Sequence, residues 1–366
     1  MRPLSRMISR YLVAVVFIFS GFVKCVDPTG TAIKMEEYFV VFGTGFLIPL
    51  SMTFSILMCG VELLVGLMLL FNMRIVWGIW GALALMVFYT PLTLWLAITN
   101  KVTDCGCFGD AITLNNVQTF IKNVVIDLFI VILFIERKHF PVGITLMKQW
   151  IATLSMAILV FGFQFYNLLN LPFIDFMPYK VGANIPASMI IPEGAPQEIR
   201  KFVFYYEKDG VRQGFDMHSL PDSTWSFADR KEGRLIQKGY VPPIHDFMIT
   251  TPDNMDVTTE ILANSGKTYI LIIGGMNKYN LHNFDQVNRI AEQAIARGHD
   301  FIAVTSSLPE EFEQFRQKVK ATYPIYMMDG TTIKTMIRSN PGIMLIKNGT
   351  ILGKWHHRKF KRIRIE

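Results

Sequence analysis

Cys105 and Cys107 stand one residue apart in Asp104-Cys105-Gly106-Cys107-Phe108-Gly109-Asp110, two thiols in a loop that glycine lets fold tightly. Cysteines this close can close only a small, strained ring, and strained exposed disulfides are the oxidising, readily exchanged kind. The spacing therefore points to a redox dithiol. A static bridge bracing the loop, from Cys25 to Cys105 or Cys107, fits the same residues. A metal centre is the weaker reading, since two cysteines without a nearby histidine fall short of four ligands. Cys59 lies within an apolar run and reads as a small packing residue. Four cysteines in 366 residues exclude a disulfide-dense mini-fold.

Two carboxylates, Glu62 and Asp127, interrupt otherwise apolar stretches. A charge there costs at least about 2.5–3.5 kcal/mol on insertion scales, so Glu62 is a candidate for a proton path or a quinone-headgroup contact. The bland alternative is a neutral carboxyl hydrogen-bonded to a neighbouring helix, with Lys122 partly compensating Asp127. Lys24 reads as an interfacial anchor. His356-His357 is a poor metal site, because adjacent residues on a strand point to opposite faces.

These residues sit in a chain that is 51% hydrophobic and only 18% charged, against about 25% charged in ordinary soluble domains. That excludes disorder and argues against a wholly soluble enzyme. The excess is confined to the first half. No charge falls between Arg74 and Lys101 or between Lys148 and Asp175, and Glu62 is the only one from Tyr38 to Met73. Spans are expected near 7–26, 49–71, 75–99, 118–135 and 149–168, each near the roughly 20 residues that cross hydrocarbon. The first is expected to stay as an anchor, since no small-x-small cleavage site follows it. Arg2, Arg6, Arg10, Arg74, Arg137, Lys138 and Lys148 fall on one side, favouring a cytoplasmic N-terminus. Five crossings then deliver the second half to the outer side, together with the Cys105–Cys107 loop. The net charge of +7 is what such flanks produce and calls for no nucleic acid.

After Leu171-Pro172 the composition turns to Gly, Pro and charge. Residues 176–200, with four prolines, read as a linker. Residues 201–206 followed by Lys208-Asp209-Gly210 predict a hairpin, and 215–240 give no clear pattern. Strands are expected at 268–273, 301–305, 323–327, 342–347 and 351–355, the last two turning at Asn348-Gly349. Helices are expected at 284–297, 309–321 and 331–337, giving a mixed sheet with helices on both faces.

Pro243-Ile244-His245-Asp246-Phe247 and Asn340-Pro341-Gly342 make this segment resemble a thioredoxin-like domain of the extracytoplasmic thiol-reductase and peroxiredoxin type. The resemblance implies a cis-proline at Pro341 and a partner-binding edge at Asn340, Pro341, Met276 and Tyr279. Where it calls for Cys-x-x-Cys, the chain reads Met276-Asn277-Lys278-Tyr279-Asn280, and no cysteine follows Cys107. Without a thiolate the domain performs no disulfide exchange by itself. Phe17 to Lys24, Asp27-Pro28-Thr29-Gly30 and Met35-Glu36-Glu37-Tyr38-Phe39 resemble the first span and outer loop of DoxX-type membrane proteins, and Cys105-Gly106-Cys107-Phe108-Gly109 is similar to the MauE family, named for methylamine utilisation. That likeness implies a role in extracytoplasmic redox or in maturing disulfide-containing partners; no residue points to methylamine itself.

The expected fold is a membrane all-α bundle followed by an α/β domain. A four-helix DoxX/MauE-like unit spans 1–140 and a fifth transmembrane helix 141–170. A linker and β-rich segment covers 171–242, and a thioredoxin-like extracytoplasmic domain 243–366. The expected function is thiol/disulfide or electron-transfer chemistry at the outer face of a bacterial cytoplasmic membrane, carried by Cys105 and Cys107 with Cys25 as a possible third thiol. Its expected partners are the bilayer and an extracytoplasmic protein. No cofactor is evident, with a quinone open as one. The alternatives are a non-enzymatic scaffold with structural cysteines and a quinone-linked oxidoreductase subunit using Glu62.

Overall fold

A computed structural model describes residues 2–102, 105–140, 143–197, 199–217, 219–237, 239–275 and 284–365. The expected positions Met276 and Tyr279 lie outside them.

Among the described residues, five apolar helices are long enough to cross a membrane. They are α1 (Arg2–Val26), α3 (Ser51–Phe71, extended back to Gly45 by a 3-10 turn), α4 (Ile75–Thr99), α5 (Asn116–Ile135) and α6 (Leu146–Leu169). Val13, Phe17, Leu69, Ile79, Met86, Ile130 and Leu133 pack between the first four. α1 and α3 approach closely because Gly21 and Gly66 leave room. A Cβ at Gly21 would stand 2.5 Å from the Leu63 nitrogen, and one at Gly66 2.7 Å from that of Ile18. α6 lies against α3 and α1, with Phe163 stacked on Phe22.

Polar contacts identify the two ends of the bundle. At one, Arg6 donates to the His139 carbonyl and the Arg74 backbone to Gln149 Oε1. At the other, Asn167 Nδ2 on α6 reaches the Cys25 carbonyl on α1 at 3.2 Å. This second end carries α2 (Pro28–Val41), where an outer loop was expected. Asp27 caps it by accepting from Gly30 N at 2.9 Å, and Pro28 supplies the preset first-turn φ.

The second half begins with α7 (Ile185–Met189) and an antiparallel three-stranded sheet ordered β2-β1-β3, formed by β1 (Ile199–Lys208), β2 (Val211–Asp216) and β3 (Ser226–Gln237). The expected hairpin turns at Asp209-Gly210, both with positive φ. β3 occupies the segment that gave no pattern.

The last domain runs α8 (Thr258–Ala263), β4 (Lys267–Ile273), α9 (Phe284–Ala296), β5 (Asp300–Thr305), α10 (Glu310–Val319), β6 (Ile325–Met327), α11 (Gly330–Met336), β7 (Gly342–Lys347) and β8 (Thr350–His356). Its sheet is ordered β6-β5-β4-β7-β8, with β4, β5 and β6 parallel and β7 and β8 antiparallel. β4 is apolar throughout because both faces are covered. Tyr269, Leu271 and Ile273 meet α9 and α10, while Ile270 and Ile272 meet Ile333 and Met336 of α11. This is a thioredoxin-like α/β arrangement.

The expected linker needs correction. Tyr179 and Ile185 are buried in the thioredoxin-like core, and Gly182 and Ile185 hydrogen-bond Ile351 and Gly349. Residues 179–189 of that segment are therefore a wall of the domain. The histidine reading also changes. His357 starts a 3-10 turn, so its ring tilts against that of His356 with centroids 4.1 Å apart instead of facing away.

Candidate functional site

The dithiol loop is built on the ends of α4 and α5. Asn116 Nδ2 closes its base by donating to Asn100 Oδ1 at 3.1 Å and to the Val102 carbonyl at 2.9 Å. Gly106 and Gly109 take positive φ inside it, as tight reversals require. Three helices then clamp the loop. Ser20 Oγ of α1 donates to the Cys107 carbonyl at 2.6 Å, and the Tyr38 hydroxyl of α2 to the Cys105 carbonyl at 3.1 Å. Phe108 sits edge-on to Phe19 with Lys122 of α5 above its ring at 4.4 Å.

Within this frame the two sulfurs are unequal. The Cys107 backbone N–H donates to Cys105 Sγ at 3.2 Å. A hydrogen bond from the Cys107 thiol is the main influence lowering the Cys105 pKa to about 6, against the opposing effect of burial. The Thr119 hydroxyl, that backbone N–H and the Lys122 charge assist. Cys107 is pushed well up by the same thiol–thiol bond and by burial. One sulfur is thus set to be a thiolate and the other to keep its proton, the asymmetry that exchange chemistry uses. Both are partly exposed and all four cysteines are free thiols.

Cys25 and Cys59 lie elsewhere. Both are fully buried, packed with Leu63 and Val160 between α1, α3 and α6. Cys25 is thereby grouped with Cys59 in the helix interior. Cys59 does more than pack, because it also lines a cavity of about 810 Å3. This cavity lies between α2, α3 and α4, and Cys105, Gly106 and Cys107 form part of its wall. Its other lining is mostly apolar, including Phe39, Phe54, Phe88 and Trp95.

Lys24 also lines the cavity, and its expected role as an interfacial anchor is corrected. Its side chain is 8% exposed, and Nζ lies 2.8 Å from Glu62 Oε2. Tyr89 of α4 donates to the same oxygen at 3.0 Å, and its ring lies 5.2 Å below the Lys24 ammonium. Glu62 is therefore one member of a three-helix polar cluster, bonded to both neighbouring helices, and it stands behind Lys24 and Tyr89. Considering Lys24 and Glu62 together was the signal available in the sequence, since intramembrane charges pair. Asp127 accepts instead from Thr90 Oγ1 at 2.8 Å.

The thioredoxin-like domain meets this end of the bundle. Arg338 Nε lies 2.8 Å from Asp27 Oδ2 and its Nη2 3.9 Å from Asp110 Oδ2. Lys334 Nζ lies 3.8 Å from Glu36. Arg338 is two residues from the Asn340–Pro341 bond, which is cis. Asn340 Oδ1 accepts from Gly274 N at 3.1 Å, holding the end of β4 beside that loop.

Residues 2–136 match the family described as methylamine utilisation protein MauE, and residues 201–238 match a domain of unknown function. Protein TlpB of Flavobacterium psychrophilum is 30% identical over 149 residues, covering 37% of this chain and 40% of that protein. The chain thus spans less than half the length of that relative. A solution structure of a candidate protein disulfide isomerase from Bacteroides thetaiotaomicron is 19% identical, over 31% of this chain and 75% of that one, with a TM-score of 0.25. The chain joins a MauE-type membrane region to a thioredoxin-like domain, and every cysteine lies in the former.

Proposed function

We propose that the chain is a membrane thiol–disulfide component in which Cys105 and Cys107 exchange two electrons with a partner protein. The observation that carries this reading is the unequal pair in the clamped loop, with the Cys107 N–H donated to Cys105 Sγ at 3.2 Å. A bridge between cysteines one residue apart is strained, so its formation by the pair makes an oxidant. A partner thiolate attacks that bridge, forms a mixed disulfide and releases one cysteine of the pair. The second partner thiol then attacks the mixed disulfide. The partner leaves with its own disulfide, and the chain keeps two thiols.

The thioredoxin-like domain has no cysteine and serves as the partner-recognising surface, with the cis-proline loop of Asn340 and Pro341 as its edge. The basic residues flanking the spans favour a cytoplasmic N-terminus in a bacterial inner membrane, which puts loop and globule in the oxidising compartment. The ion pairs from Arg338 to Asp27 and Asp110 support a shared side.

Thiol trapping tests this function. After mild oxidant, Cys105 and Cys107 lose alkylation together, and a Cys107→Ser chain retains Cys105 to trap a mixed disulfide. Both thiols remaining alkylatable after oxidant would overturn it.

A further inference from the structure

We infer that the cavity between α2, α3 and α4 is the site of a lipid-soluble quinone that takes electrons from the Cys105–Cys107 pair. This rests on the dithiol reading above and adds the acceptor. A pair that oxidises partners must itself be reoxidised by something accepting two electrons and two protons. The cavity, at about 810 Å3, falls in the roughly 300–1,000 Å3 range of small-molecule sites. Phe54, Val87 and Phe88 line it and are also exposed on the outer surface of membrane-spanning helices, so its mouth faces hydrocarbon. A ligand dissolved in the bilayer can enter there, whereas a charged soluble oxidant meets lipid.

The interior matches a flat molecule with two carbonyl oxygens and an apolar tail. Aromatic and aliphatic side chains form the walls. Lys24 supplies polar hydrogens at the inner end, its ammonium held by Glu62 at 2.8 Å beside Tyr89, whose hydroxyl donates to the same carboxylate at 3.0 Å. Cys105 and Cys107 are lining residues of the cavity, so no further carrier is needed between them and the ring. As the Cys105–Cys107 bond forms, the two electrons leaving sulfur reduce the quinone to quinol. With Cys105 as thiolate, one proton comes from the Cys107 thiol and the second from the Lys24 ammonium, replaced from water.

The test uses the full chain in lipid nanodiscs, reduced and freed of reductant, with decylubiquinone or menadione added without oxygen. One quinol should form for each pair of thiols lost at Cys105 and Cys107, and Cys105→Ser should abolish it. Ala84→Trp, which puts a large ring into the cavity wall, should slow quinol formation about tenfold or more. Diamide, a soluble thiol oxidant, should still close the pair in that variant at the unaltered rate, showing that it is folded. If diamide closes the pair and quinones do not, or if Ala84→Trp has no effect, the quinone site is wrong and the dithiol stands. If diamide also leaves both thiols alkylatable, the dithiol reading itself falls.

Discussion

Arg338 and Asp27, 311 positions apart in sequence, form a 2.8 Å ion pair that joins the thioredoxin-like domain to the membrane bundle. Their side chains are only 8% and 15% exposed, so solvent screens the pair little. Arg338 also donates to the Lys334 carbonyl, which fixes the guanidinium on α11. The pair places the cis-proline loop over the end of the bundle that carries the dithiol.

Because Asp27 also caps α2, the two roles can be separated. Asn is as good a cap as Asp, so Asp27→Asn should keep α2 and lose the ionic part of the docking, at a cost of about 2 kcal/mol. Asp27→Ala should lose both. Hydrogen exchange would distinguish them, with α11 and the 338–341 loop opening in either variant and the first turn of α2 only in the alanine one. Unchanged protection of the 338–341 loop in Asp27→Asn would show that the pair does not hold the domain.

The Lys24–Glu62 pair should behave as a buried pair. Lys24→Met or Glu62→Gln alone leaves one polar partner stranded between helices, and a loss of about 3–5 kcal/mol is expected. The double variant should recover most of it. Unfolding of the detergent-solubilised chain, followed by helix signal, measures the three.

Reactivity of the dithiol should depend on pH through Cys105. Its pKa is lowered to about 6, so below that value the thiol is protonated and slow, and above it the thiolate dominates. An ordinary cysteine rises in rate to about 8.5. Iodoacetamide labelling of Cys105 should therefore have a midpoint near 6 and be level above pH 7. Partial burial lowers the absolute rate, and its opposing effect on the thiolate is already contained in that midpoint. Lys122→Met should move that midpoint upward, because it removes one of the stabilising influences on the thiolate.

Gly21 tests the contact of α1 with α3. Gly21→Ala puts a methyl 2.5 Å from the Leu63 nitrogen, so the helices must separate, at a cost of about 1–3 kcal/mol. Gly162 on α6 has nothing within 4 Å of the equivalent position, and Gly162→Ala should be tolerated. Thermal midpoints of the two variants compare them directly.

The spans were legible because long stretches without charge have few alternatives, and the structure places them within a few residues of the expected bounds. The hairpins at Asp209-Gly210 and Asn348-Gly349 were equally clear, since positive φ at two consecutive positions favours those residues. α2 was harder to see. Thr29, Gly30, Lys34, Glu36 and Glu37 give it the polarity of a loop, and only Asp27-Pro28 announces a helix start. Residues 176–200 were misread for a related reason, as their prolines obscure Tyr179 and Ile185, which the sheet needs as cover. Lys24 and Glu62 belong to different helices, so their pairing is tertiary and no local spacing reveals it. The cavity is tertiary in the same sense, because its lining is drawn from four helices and a loop far apart in the chain.

Asp27 starts α2 and grips Arg338 with one carboxylate, so it acts as a hinge pin shared by two bodies. Thr31, Met35 and Tyr38 further along that rod form one side of the chamber beside the sulfurs. Asp27 and the chamber wall are thus two ends of one short rod, about ten residues long, with the globule fastened to the first of them.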